Sequence, residues 1–128
     1  MIKRIVFDGN DGTGKTTRLE EMKKLFRNIE YTDRGIFSQM TLVDELFNDM
    51  ENTECLRQKF HDLIKNDSET LYIICRCSPK TCQERIKMRG DSIEEEFHTM
   101  DDLTKYDNRF NLLVGLVSEL PNVMYVET

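Results

Sequence analysis

The sequence predicts an α/β fold in three layers, a small parallel sheet of about four strands flanked by helices. Three observations carry that expectation. Short β-rich runs alternate with longer stretches whose apolar residues recur at helical spacing. The run from Thr70 to Cys75 is apolar at successive positions, as a strand covered on both faces has to be. The 128 residues contain no repeat, no low-complexity run and no Pro- or Ser-rich linker, so residues 1–128 are read as a single domain.

Taken in order, Ile2 to Phe7 reads as the first strand and residues 9–14, with three glycines, as a loop. From Lys15, the positions Leu19, Met22, Leu25, Phe26 and Ile29 mark a helix, and Ile29 to Thr32 a short second strand. Ile36, Met40, Val43, Phe47 and Met50 predict one helix, and Leu56, Phe60, Leu63 and Ile64 another. Thr70 to Cys75 follows as the central strand. Ser78-Pro79 is an N-cap with proline at the first helical position, opening a helix that runs to about Arg89. Residues 90–99 are charged and irregular. Leu103, Tyr106, Phe110, Leu113, Val117 and Leu120 mark the last helix, Pro121-Asn122 breaks it, and Val123 to Val126 is the final strand.

Composition narrows the function. With 18 Lys+Arg against 24 Asp+Glu, the net charge is −6, which weighs against a non-specific grip on nucleic acid. No apolar run approaches the length of a membrane span. The stretch before Asp8 is too short for a signal peptide, and the chain is read as cytoplasmic. The cysteines at 55, 75, 77 and 82 lack metal-site spacing, with only His61 and His98 as further soft ligands. All four are expected to be reduced, structural thiols. Both histidines read as surface residues without a partner.

The strongest motif is Gly9-Asn10-Asp11-Gly12-Thr13-Gly14-Lys15-Thr16, a full match to G-x-x-x-x-G-K-[ST]. Its glycines let the backbone curl so that several N–H groups meet one anion. The following helix adds the positive end of its dipole. Lys15 reaches the β- and γ-phosphates and Thr16 offers a hydroxyl to Mg²⁺. A strand before and a helix after the loop complete the context of a P-loop NTPase fold. No N-K-x-D segment reads guanine, and the central strand ends Cys75-Arg76-Cys77 without a carboxylate. A kinase of small molecules is the reading that remains.

Three segments resemble the thymidylate kinase and deoxynucleoside kinase superfamily. The first is Asp8 to Thr17, whose Asp-Gly-x-Gly-Lys-Thr-Thr part is thymidylate-kinase-like and whose Asp8-Gly9-Asn10 resembles the Glu-Gly-Asn of deoxynucleoside kinases. The second is Asp33-Arg34 with Phe37-Ser38-Gln39. The third is Pro79, Cys82, Arg85-Ile86 and Arg89-Gly90 with Glu94-Glu95-Glu96, similar to the lid helix of deoxynucleoside kinases. The resemblance implies ATP and Mg²⁺ as cofactors, held by Gly9, Asn10, Asp11, Gly12, Thr13, Gly14, Lys15, Thr16 and Thr17, with Thr16 and Asp33 toward the metal. It implies catalytic roles for Lys15, Asp8 (a base for the attacking hydroxyl), Arg34 (the acceptor's phosphate or the reacting group), Arg85 and Arg89.

Arg85 and Arg89 share a helix face at i, i+4, and forked guanidinium donors suit a phosphoryl group in flight. The lid is expected over about residues 85–99, with Gly90 as hinge. Phe37, Phe47 and Phe60 read as core, one of them, with Gln39, being open to a base. Glu94–Glu96 reads as a solvated run or a lid partner. Family members carry a further strand and helices where Ile29 here nearly abuts Asp33, and this chain has no Trp. The acceptor side is therefore reduced. The expected activity is ATP-dependent phosphorylation of a deoxynucleoside monophosphate, thymidylate-like. A deoxynucleoside kinase, a nucleotide-binding regulatory module with little catalysis, and a kinase of polynucleotide 5′ ends are the alternatives. A homodimer would cover a pocket that so short a chain leaves open.

Overall fold

A computed structural model describes residues 1–10, 12–90 and 99–127. Four parallel strands, β1 (Arg4–Asp8), β2 (Glu30–Asp33), β3 (Thr70–Arg76) and β4 (Val123–Glu127), form one sheet in the order β2-β1-β3-β4. The helices are α1 (Lys15–Leu25), α2 (Ile36–Leu42), α3 (Asp44–Asn52), α4 (Glu54–Asn66), α5 (Pro79–Met88) and α6 (Met100–Val117). None among the described residues is long and apolar enough to cross a membrane.

Alternation along the strands sorts the side chains into two cores. Ile5 and Phe7 of β1 and Ile73 and Cys75 of β3 face Leu19 of α1. Val6, Tyr72 and Ile74 face the other way, onto α2, α3, α4 and α6. There Phe37 lies edge-on to Phe60, with ring centroids 5.3 Å apart, and to Tyr72 at 5.9 Å. The three-layer expectation is met, and Phe37, Phe47 and Phe60 are all core residues rather than base-stacking ones. Gln39 is exposed.

Several details depart from the sequence reading. The helix expected through Ile36 to Met50 is two helices, broken at an extended Val43. Arg109 of α6 holds the break. Its guanidinium donates to Thr41 O at 2.8 Å, a carbonyl in the last turn of α2, and pairs with Asp44 Oδ1 at 2.8 Å, where α3 begins. Leu25 and Phe26 continue the helical spacing of α1 yet lie exposed, because the single helix on that face reaches the sheet mainly through Leu19. Tyr31 of β2 ends that helix instead, its hydroxyl donating to Phe26 O at 2.7 Å.

Two further expectations are corrected. Cys77 and Cys82 are joined in a disulfide, because the turn from β3 into α5 brings their Cα atoms to 6.2 Å. Cys55 and Cys75 are free. His61 of α4 does have partners. Packing of α4 on α6 sets its Nε2 2.5 Å from Glu119 Oε1, and Asp62 lies on the other side of the ring.

The end of the sheet away from the strand C-termini is held by Asp67. Its carboxylate accepts from Tyr72 Oη at 2.6 Å, Thr70 Oγ1 at 2.9 Å and Arg4 at 3.1 Å. Burial raises the Asp67 pKa, but these three donors outweigh it and hold the acid below its ordinary range. Burial and the same carboxylate push the Tyr72 phenol up to about 12.

Candidate functional site

The chain leaves β1 toward β2 on one side and leaves β3 toward β4 on the other. The carboxyl ends of β1 and β3 therefore flank the crevice where open α/β sheets bind ligands. The loop that follows β1 sits in it. Gly9, at φ 143°, backs directly onto Cys75 O of β3, and a Cβ there would overlap that carbonyl. Gly12, at φ 84°, presses on the first turn of α5, and its missing Cβ would stand 2.6 Å from Cys82 O. Only glycine fits either place.

The loop feeds α1, whose N-cap is Gly14 and whose first turn contains no acidic residue. Helices α5 and α6 are capped by Ser78 and Thr99 hydroxyls. Helix α1, like α3 and α4, has no side-chain cap, and its first residues border the crevice. Lys15, buried at this helix start, donates from Nζ to Gly9 O at 3.0 Å and Asn10 O at 3.3 Å. Arg85 of α5 donates to Gly12 O at 3.2 Å. Cations thus bind three loop carbonyls from within.

Around this loop opens a cleft of about 480 Å³. It is lined by Lys15, Thr16 and Thr17 at the start of α1, by Asp33 and Arg34 after β2, and by Arg85 and Arg89 of the α5 end. Of the residues expected from sequence, the cleft brings together Gly12, Gly14, Lys15, Thr16, Thr17, Asp33, Arg34, Arg85 and Arg89, while Asp8, Gly9, Asn10 and Thr13 do not line it. Arg34 has φ 65°, the only positive φ among described non-glycine residues, and its amide donates to Phe7 O at 2.8 Å. That conformation costs backbone energy and turns β2 sharply into α2 at the mouth of the cleft. Gly90 closes α5, its amide donating to Lys87 O at 3.0 Å with φ 71°. Asp11, Glu94, Glu95, Glu96 and His98 lie outside the described residues, as does most of the expected lid.

Asp8 is the last residue of β1, where the strand meets the loop. It is fully buried, and its carboxylate accepts from Gly9 N at 2.9 Å, Gly35 N at 3.0 Å, Ser38 N at 3.1 Å and the Ser38 hydroxyl. Two of these donors are backbone amides at the start of α2. Asp8 therefore caps that helix and ties it to the loop.

Beside Asp8 lies a second opening that sequence reasoning did not identify. It is a slit of about 20 Å³, bounded by Gly9, Asn10 and Arg34 at its mouth and by Ser38 and Leu42 of α2. Leu103, Tyr106 and Phe110 close it from α6. These three stand at i, i+3 and i+7, one helical stripe, which in the sequence is indistinguishable from ordinary core patterning. A space this size holds about one water.

For a divalent cation, the described residues offer Thr16 and Asp33 in the cleft, both oxygen donors suited to a hard ion. No group of three or more His, Cys, Asp or Glu among the described residues would enclose a metal. The pair fits an ion completed by phosphate oxygens and water, the usual manner of Mg²⁺. No protein-family model matches the chain, and no curated protein matches it.

Proposed function

We propose that this chain has the P-loop NTPase fold and is an ATP-dependent phosphotransferase acting on a small nucleotide, a deoxynucleoside monophosphate kinase of thymidylate-like type. The observation that carries the reading is the cleft. A glycine loop with obligatory positive φ angles meets an uncapped helix N-terminus, and four cationic side chains, Lys15, Arg34, Arg85 and Arg89, border the same space. In a protein of net charge −6, such a gathering of positive charge suits a polyphosphate.

On this reading the loop amides and Lys15 bind the donor's phosphates. Thr16 and Asp33 hold Mg²⁺, which when bound neutralises charge on the donor. Arg85 and Arg89 line the wall facing the transferred group, and Arg34 stands between the cleft and the slit, on the line from donor to acceptor. Asp8 positions rather than accepts a proton, since four protein donors already occupy its carboxylate. That favours a monophosphate acceptor, already ionised and bound by arginine, over a bare nucleoside that needs a base.

The 20 Å³ slit favours a second reading, a nucleotide-binding module with little catalysis. Release of ADP, followed over a panel of nucleoside monophosphates and nucleosides with calorimetry of ATP binding alongside, separates the two. Turnover with a monophosphate supports the kinase. ATP binding without turnover of any acceptor supports the module. No ATP binding overturns both.

A further inference from the structure

We propose that Cys77 and Cys82 are a reversible redox modification site whose state sets how firmly the phosphate-binding loop is held. The nucleotide-linked half of this proposal rests on the function proposed above.

The pair joins the end of β3 to the first turn of α5, and both residues touch the loop. Cys77 Sγ lies 3.5 Å from Gly12 O. The backbone of Cys82 is so close to Gly12 that a Cβ there would stand 2.6 Å from its carbonyl oxygen and 3.0 Å from its Cα. One turn further along α5, Arg85 donates to Gly12 O. Disulfide, loop and a cleft arginine therefore converge on one residue.

Both oxidation states have a place here, which distinguishes a switch from a permanent cross-link. In the disulfide neither sulfur carries a proton. In the dithiol each S–H finds a carbonyl in reach, Gly12 O for Cys77 and Cys77 O, 3.8 Å away, for Cys82. Two thiols occupy more space than a bonded pair. Both sulfurs are buried with Ile86 and Leu103, and the contact of Cys82 with Gly12 is already closed. The added volume is taken up by α5 moving off the loop and carrying Arg85 with it. The disulfide form is the one with the firmer loop.

Interconversion is thiol–disulfide exchange with a low-molecular-weight disulfide. One cysteine thiolate attacks a sulfur of R–S–S–R and expels R–S⁻. The second cysteine attacks the resulting mixed disulfide and expels the other. Two electrons pass from the protein to the small disulfide, which leaves as two thiols carrying the two protons. A small dithiol reverses the reaction. Cys55 is exposed and would react first, so it is replaced in the test. Cys75 is free and packs in the other core with Leu19, apart from the Cys77–Cys82 pair, which leaves it a bystander.

The full chain carrying Cys55→Ser is prepared oxidised with glutathione disulfide and reduced with dithiothreitol, and the cross-link is mapped by peptide mass. Amide hydrogen exchange over residues 9–16 and calorimetric ATP affinity with Mg²⁺ are then compared. The expected result is a 77–82 cross-link, slower exchange in the oxidised loop, and ATP binding tighter by on the order of fivefold. Cys77→Ser and Cys82→Ser each abolish the difference. Equal exchange in both states, or oxidation that never joins 77 to 82, overturns the proposal. Should neither form bind ATP while loop exchange still differs, the phosphotransferase reading fails and the switch stands.

Discussion

Two openings flank Arg34, and they are built on opposite principles. The cleft on the loop side measures about 480 Å³ and is bordered by cations, hydroxyls and one carboxylate. The slit on the α6 side measures about 20 Å³ and is closed by Leu42, Leu103, Tyr106 and Phe110. Charged walls repel one another and stay solvated, so a site for a polyanion keeps its shape from the backbone alone. Apolar walls gain by meeting, so a site for a flat or apolar group closes on itself unless rigid elements hold it apart. The cleft is thus preformed, and the width of the slit depends on how far α2 and α6 can separate; on the function proposed above, these would be the donor and acceptor sides.

The largest expected effect removes the carboxylate that ties the loop to α2. Asp8→Ala leaves two α2 amides, one loop amide and a buried hydroxyl without their acceptor and should cost about 3–5 kcal/mol in urea unfolding, with loss of ATP binding. Wild-type-like stability would show that Asp8 does not hold the loop to α2.

Lys15→Ala removes a cation of the cleft and should weaken ATP binding on the order of 100-fold by calorimetry. Tyr106→Ala acts on the slit alone. ATP affinity should change by less than about twofold, while monophosphate KM shifts severalfold in either kcat-neutral direction as the walls open. An ATP affinity that fell with it would merge the two openings into one.

The smallest effect lies remote from both. The Glu119 carboxylate, with Asp62 beside it, raises the His61 pKa above its ordinary 6.5. The contribution is fully present below pH 6.5 and fades as pH rises through the higher folded value. His61→Gln should flatten that limb of the stability–pH curve, read by urea midpoints between about pH 6 and 8, without altering ATP affinity.

Much of this molecule was legible in its residues. Period-2 and helical spacing gave all four strands to within a residue or two, and the glycines at 9 and 12 announced the loop because no other residue fits against Cys75 O and Cys82 O. What stayed hidden was long-range. The break at Val43 depends on Arg109, more than sixty residues later. The partner of His61 lies 58 residues away, and the exposure of Leu25 and Phe26 follows from how few elements cover that face. The surroundings of Asp8 were hidden for the same reason. A strand-end carboxylate beside a phosphate loop suggests chemistry, and only the arrival of Gly35 and Ser38 shows its lone pairs already occupied.

That same carboxylate has a thermodynamic corollary. Gly9 on the loop and Ser38 on the slit are 29 positions apart in sequence but bond to one Asp8 oxygen pair. Substitutions at the two places will not add. A ligand that draws on one will alter affinity at the other by an equal factor in both directions, since linkage through a common group is reciprocal. Binding order is thereby free to vary without changing the total free energy, and on the function proposed above a single buried acid would let two ligands sense each other.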